Sequence, residues 1–329
     1  MASEKVGQMK NLPLVSIVTP SYNQGQFIEE TILSVKNQNY PNIEHIIVDG
    51  GSTDNTLEIL KKYEGTYNMR WVSEPDEGMY QAINKGLRMA KGEILSYLNS
   101  DDLYLPWTVE TVVAHLTKNL SVDLVYGDVI SLDMENKTLE LIICPPFNLK
   151  FLHRAGGFFQ PTVFWRRKVF EQLGGFDETL KFVADCDYWM KVGTIFGIRK
   201  INEVLAIDRL HGSAKRSLYP DVWRNELKEV RKRYCKSGLI QKNLELFIYR
   251  LYGPFWQRYY MVKFLYRYLT RHKSKDQSAW SRFLSIKDLQ MAPWHQLLIR
   301  FVPFIGRRNP RWTIKRGIYL REVNSGTDS

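Results

Sequence analysis

Cysteine is scarce in this sequence: 329 residues contain three, Cys144, Cys186 and Cys235. An odd number at wide spacing excludes a disulfide framework and any thiolate metal site, and suits a reducing compartment. Long apolar runs are also missing. Nothing approaches 18 uninterrupted apolar residues, so no membrane-spanning helix is expected. The first ten residues are polar and lack an apolar core region, so no secretory signal is expected. There is neither an internal repeat nor a low-complexity tract. What remains, 44% hydrophobic and 25% charged residues, describes an ordinary globular chain long enough for one large or two medium domains.

The net charge of +11 is unevenly distributed. Residues 1–219 hold 23 Lys and Arg against 27 Asp and Glu, whereas residues 220–329 hold 23 against 8. The first part is thus slightly acidic, and the second is a basic surface of its own.

Between Leu14 and Leu98, short β-branched runs alternate with segments of helical period. Strands are expected at 15–19, 43–48, 69–72 and 94–98, and helices at 27–38, 53–63 and 78–90. Such alternation predicts an α/β fold with a parallel, doubly wound sheet. Ligands bind such sheets outside the carboxyl ends of the strands. That rule gathers four polar loops, 19–25, 49–55, 73–78 and 99–104, onto one rim. Beyond Pro106 the pattern predicts a helix over 107–119, a strand over 122–126 and a hairpin over 129–143. A short strand at 162–165, helices over 168–173 and 183–192 and a last strand over 204–210 follow.

The run Ile94–Leu98 leads directly into Asn99-Ser100-Asp101-Asp102. Two adjacent carboxylates at the end of a buried strand are costly without a positive partner. A Mg²⁺-type cation shared with a diphosphate answers that need; the alternative is a helix cap ahead of Pro106. In Asp49-Gly50-Gly51-Ser52-Thr53-Asp54 the glycines permit close backbone approach, and Asp49 ends its strand facing the rim. Tyr22, in Thr19-Pro20-Ser21-Tyr22-Asn23, either stacks on a base or covers the sheet edge.

Taken in order, Pro20-x-Tyr22-Asn23, Asp49-Gly50-Gly51-Ser52-x-Asp54, Asn99-Ser100-Asp101-Asp102 and Gly175-Phe176-Asp177-Glu178 resemble the family 2 glycosyltransferases over residues 12–217. These are inverting enzymes of the GT-A fold that use nucleotide-diphosphate sugars. The segment Glu74–Gly86 is similar to a subgroup found mostly in bacterial surface-polysaccharide assembly. The resemblance implies a Rossmann-like, mostly parallel sheet flanked by helices. It assigns the nucleotide to Thr19, Pro20, Tyr22, Asn23, Asp49, Gly50, Ser52, Asp76, Lys85, Asn99 and Ser100, with Tyr22 and Asp49 on a base that is usually uracil. It implies Mn²⁺ or Mg²⁺ on Asp101 and Asp102, with His211 meeting the metal or the diphosphate. Asp185 matches the general base, and Asp187 a supporting position. His153, Gln160, Arg209 and Asp187 fall where the acceptor or sugar is contacted. Three positions depart from the pattern: Asn99 stands for the first Asp of an Asp-x-Asp, Ala184 for an auxiliary carboxylate, and Ile83 for a common Arg.

The resulting expectation is a GT-A domain over 12–219, with its nucleotide half at 12–103 and its acceptor half at 104–219. A flexible tail would precede it over 1–11. A basic, aromatic, mainly helical extension would follow over 220–321, ending in a disordered tail, 322–329. The expected reaction moves a hexose or N-acetylhexosamine from a UDP-sugar to a glycan or polyprenyl-diphosphate-linked oligosaccharide. The expected place is the cytoplasm, including the inner face of the cell membrane. The extension, with Phe247, Trp256, Tyr259 and Arg258 among its residues, suits either an anionic bilayer surface or packing on the catalytic domain. Its aromatic surface also fits a homodimer. Nucleic acid is not expected as a partner, because no binding motif accompanies the charge. Two other classes were weighed: a non-catalytic sugar-nucleotide-binding scaffold, which Asn99 and Ala184 keep open, and a nucleotidyltransferase, which the lack of Arg or Lys in residues 19–30 disfavours.

Overall fold

In the computed structural model, the described residues are 12–234, except 137, 143, 145, 150–151, 153–157 and 214–217, together with 318–319. The expected extension beyond 234 and both expected tails lie outside them.

Strands β1 (Val15–Ser21), β2 (Ile43–Asp49), β3 (Met69–Ser73) and β4 (Ile94–Tyr97) lie in the order 3-2-1-4, every pair parallel. Helices α1 (Ile28–Lys36), α2 (Thr56–Tyr63) and α3 (Met79–Met89) make the crossovers. Parallel strands covered on both faces are apolar throughout, and the side chains of β1, β2 and β4 are uniformly buried. Strand β1 extends past the expected stop at Thr19 to Ser21. Pro20 is tolerated there because β4 pairs with β1 only as far as Val18↔Tyr97, so Pro20 is bonded on the β2 side alone.

After β4 come β5 (Leu103–Tyr104), α4 (Thr108–Lys118), β6 (Leu124–Asp133), β7 (Thr138–Ile142), β8 (Phe164–Arg166), α5 (Arg167–Leu173), α6 (Ala184–Ile195), β9 (Ile198–Leu210), α7 (Pro220–Tyr234) and β10 (Ile318–Tyr319). Strand β8 continues the sheet antiparallel to β4, β6 and β7 follow antiparallel, and β9 runs parallel to β6. Strand β5 was not expected. Two residues are too few for a sequence signal, and they are held by antiparallel pairing with β9 (Leu103↔Ile207). This small ladder sets the end of β9 beside the loop after β4. Because α4 begins at Thr108, Asp101 and Asp102 cap no helix, which disposes of that alternative.

Helix α3 packs close on β1. A Cβ at Gly86 would stand 2.4 Å from Val18 Cγ1, so glycine is required for the approach. Between α3, α6 and the sheet sits an aromatic core of Tyr80, Tyr97, Trp165, Phe176, Tyr188 and Trp189. Phe176 stacks on Tyr80 at 5.8 Å and meets Tyr97 edge-on at 5.4 Å. Helix α7 reaches into the same core through Leu227 and Val230.

Candidate active site

The carboxyl ends of β1 to β4 carry the expected rim. Asp49 is fully enclosed, and its carboxylate accepts from Gly51 N (3.1 Å), Ser52 N (2.8 Å), Ser52 Oγ (2.5 Å) and Ser73 Oγ (2.7 Å). In this state it organises the glycine loop. Ser52 Oγ in turn accepts from Asn23 N at 2.7 Å, and Asn23 Oδ1 accepts from Thr53 N at 2.8 Å. Asn23 sits at φ 52°, a left-handed conformation that asparagine tolerates better than most residues. The first two loops are therefore one hydrogen-bonded unit, and it leaves Tyr22 59% exposed at its tip. Asp76 closes the third side. Its Oδ2 lies where a Cβ of Gly50 would come within 2.7 Å, so that glycine makes room for the carboxylate. Lys85 on α3 is ion-paired with Glu74.

The loop after β4 is held from three sides. Thr31 of α1 donates to the carbonyls of Ser100 (2.7 Å) and Asp102 (2.9 Å). Gln160, in a 3₁₀ turn, donates to Tyr97 O at 2.5 Å and accepts from Asn99 at 3.4 Å. Beyond the β5–β9 ladder, His211 Nε2 meets Asp101 Oδ2 at 3.1 Å, with its ring 4.4 Å from that of Phe27 and its Nδ1 2.8 Å from Ser213 Oγ. Asp102 points inward, accepting from Arg209 N at 3.1 Å and Asn99 Nδ2 at 3.3 Å. Burial, then the charges of Asp101 and Asp208, push its carboxyl well above the usual range.

Asp185 stands in the first turn of α6. Its Oδ1 accepts from Cys186 N at 2.8 Å and from the buried Tyr80 hydroxyl at 3.2 Å. Burial raises its carboxyl above the ordinary carboxylate value, against the lowering effect of those two bonds. The Tyr97 phenol, fully enclosed, is raised by burial first and then by the charge of Asp185.

Residues 16–200, more than half of the chain, match the family model described as glycosyl transferase family 2. The chain belongs to that family. It is 27% identical over 233 residues to chondroitin synthase of Escherichia coli, an alignment covering 70% of this chain and 34% of that protein. It therefore spans about a third of the length of that relative. Among solved structures, TarS 1–349 of S. aureus in complex with UDP-GlcNAc superposes with a TM-score of 0.54, at 20% identity and 73% coverage of each chain. The mannosyltransferase PcManGT of Pyrobaculum calidifontis, in complex with GDP-Man and Mn²⁺, also gives 0.54, at 19% identity, covering 85% of this chain and 81% of that one. At such identities the likeness shows the fold, which is that of GT-A glycosyltransferases.

Within this glycosyltransferase, several assigned residues stand elsewhere than expected. Thr19 is buried in β1 with its hydroxyl 2.9 Å from His45 Nε2, and Pro20 is buried beside it, so neither side chain opens onto the rim. Asp187, 1% exposed, binds Lys191 (2.9 Å), Arg233 (3.2 Å) and the Tyr234 hydroxyl (3.1 Å). Two residues along a helix turn a side chain to the opposite face, which takes Asp187 away from Asp185. Arg209 is a buried clamp, bonded to Glu30 and to the carbonyls of Asp101 and Phe27, rather than an acceptor contact. Asp101, Asp102 and His211 do not converge, and among the described residues no group of three or more His, Cys, Asp or Glu is gathered for a metal. The chain turns here, with Asp102 N donating to Asn99 O at 3.1 Å, and Asp101 faces His211 while Asp102 faces inward. His153 lies outside the described residues.

Sequence reasoning missed Tyr80 and Asn84. The Asn84 amide donates to Phe176 O (2.8 Å) and Glu178 Oε1 (2.8 Å) and accepts from Phe176 N (2.8 Å). The Gly-Phe-Asp-Glu motif is thereby locked to α3, which holds Tyr80 against Asp185. Ser21 and Gln24 were missed as well; Ser21 Oγ, Gln24 Oε1 and, on the expected Asn99, Oδ1 are buried polar atoms with no hydrogen-bond partner among the described residues. Unmet polar atoms of this kind cost about 1–3 kcal/mol each, and these three lie at the end of β1 and in the loops after β1 and β4. No sequence pattern distinguishes them from satisfied neighbours.

Proposed function

We propose that this glycosyltransferase inverts the anomeric centre while moving a hexose or N-acetylhexosamine from a UDP-sugar to a glycan or lipid-linked glycan acceptor. The observation that carries the reading is Asp185, a carboxylate raised by burial and held by the Tyr80 hydroxyl, together with the Asp101–His211 pair at the loop after β4. An acceptor hydroxyl is a poor nucleophile, and Asp185 takes its proton as it attacks. Such general-base help is worth roughly 10²–10⁴-fold. Tyr80 keeps the carboxylate aimed. Tyr22 stacks on the base, while the 49–52 loop and Asp76 take the nucleoside. The buried, unpartnered oxygen of Asn99 is free to accept from donor or bound water.

Asp101 and His211 present one carboxylate and one imidazole, a donor set that fits Mn²⁺ or Mg²⁺ when diphosphate oxygens supply the remaining ligands. Bound there, the metal supplies Lewis-acid stabilisation of charge on the leaving diphosphate. The UDP-GlcNAc bound by TarS and the Mn²⁺ bound by PcManGT support this choice of donor and cation.

The deciding experiment is a panel of nucleotide sugars assayed for release of the nucleoside diphosphate with Mn²⁺, Mg²⁺ or EDTA, on wild type and Asp185→Asn. Metal-dependent turnover of one donor, reduced roughly 10²–10⁴-fold in the variant, is expected. Donor binding without turnover, even with acceptor lipid supplied, would instead favour a sugar-nucleotide-binding scaffold.

A further inference from the structure

The turn that carries Asp185 has no cap of its own. Leu180-Lys181-Phe182-Val183 offers no Ser, Thr, Asp or Asn, and no side chain caps α6 at Val183. The acceptor comes from α7. Both carboxylate oxygens of Glu226 are used, receiving Lys181 N (2.8 Å), Phe182 N (2.7 Å) and Val183 N (3.0 Å) in succession. A negative charge here also complements the amino end of α6. On the far side of Asp185, the same α7 grips Asp187 through Arg233 (3.2 Å) and Tyr234 (3.1 Å). Leu227 and Val230, between the two grips, are buried against the core. The segment 181–187 is thus held at both ends by one helix, with Asp185 between.

We propose that Glu226 is a positioning residue for Asp185, so that α7, though outside residues 16–200, is part of the catalytic unit. The proposal rests on the reading of Asp185 as the base. Three amide donors need the two anionic oxygens. A glutamine would keep one oxygen and turn an N–H₂ toward donors, releasing the turn without changing side-chain size. Misplacing a catalytic group by about 1 Å can cost 10²-fold, whereas the nucleotide contacts lie on other loops.

The test uses the full chain with Mn²⁺ and four donors (UDP-glucose, UDP-galactose, UDP-GlcNAc and UDP-GalNAc). It compares wild type, Glu226→Gln, Glu226→Asp and Asp185→Asn. Glu226→Gln is expected to lower kcat for UDP release roughly 10–100-fold, with the donor KM and UDP affinity within about twofold of wild type. Amide exchange over 181–187 should quicken, and Glu226→Asp, which keeps the charge, should recover part of kcat. Wild-type turnover in Glu226→Gln beside a dead Asp185→Asn would overturn the proposal. So would loss of UDP binding together with turnover in both Glu226 variants, since that marks general unfolding. If Asp185→Asn turns over like wild type, the base reading itself has failed, while exchange over 181–187 still reports whether Glu226 holds the turn.

Discussion

A partly buried carboxylate that keeps its charge costs the fold free energy, and Asp185 is such a group. Because burial raises its carboxyl above the unfolded value, the folded state prefers the protonated form. Stability therefore falls as pH rises from the unfolded carboxylate range through the folded value, and at neutral pH the ionised group is a burden. Asp185→Asn should thus be inactive yet melt at a higher temperature than wild type, as a thermal scan at pH 7 would show. Tyr80 acts in the other direction. Its hydroxyl bonds the ionised form and holds the carboxyl down. In Tyr80→Phe the acidic limb of the kcat profile should move to higher pH, because the base now gives up its proton at higher pH. An unmoved limb would detach Tyr80 from the chemistry. The sequence singles out Asp185 only through the family resemblance. Its partner is not singled out, because nothing in a sequence tells a core tyrosine from one whose hydroxyl meets a carboxylate 105 residues away.

At the scale of elements, the site depends on how tightly α3 lies on the sheet and on the Gly-Phe-Asp-Glu turn. Asn84 makes three hydrogen bonds to that turn, acting as a substitute peptide group. Asn84→Ala leaves Phe176 N and O, buried beside α3, without partners, and should cost about 2–4 kcal/mol in denaturant unfolding. It should also slow turnover, since Tyr80 sits one helical turn away on the same face. The apolar periodicity of 78–90 made α3 visible, while the role of Asn84 follows only from what α3 packs against. The two-residue β5 is the same lesson. It carries no pattern, but it is the ladder that brings His211 and Arg209 to Asp101 and Asp102.

Over the described residues, α7, the start of the basic second part, packs into the core of the slightly acidic first part. Leu227 and Val230 belong to the same core as Trp165 and Trp189. Leu227→Ala should destabilise the catalytic domain by roughly 2–5 kcal/mol, as other large-to-small core substitutions do. Urea unfolding followed by tryptophan fluorescence should show a single transition displaced to lower denaturant. A separate transition for the C-terminal part, with the catalytic one unmoved, would mean that α7 is an appendage. Among the described residues, no helix is long and apolar enough to cross a membrane.

Local chemistry wrote much of this protein into its sequence. β-Branched runs alternating with helical periods specify the parallel half of the sheet, and strand ends specify a rim of polar loops, because both signals are short-range. Ordered motifs then name the family. Tertiary structure decided what each acidic residue touches. Asp185 and Asp187 are chemically equal and two positions apart, yet helical geometry sends one to Tyr80 and the other to Arg233. Glu226 had no signal at all. This carboxylate receives three amides from a segment more than 40 residues away, and that meeting exists only in the folded molecule.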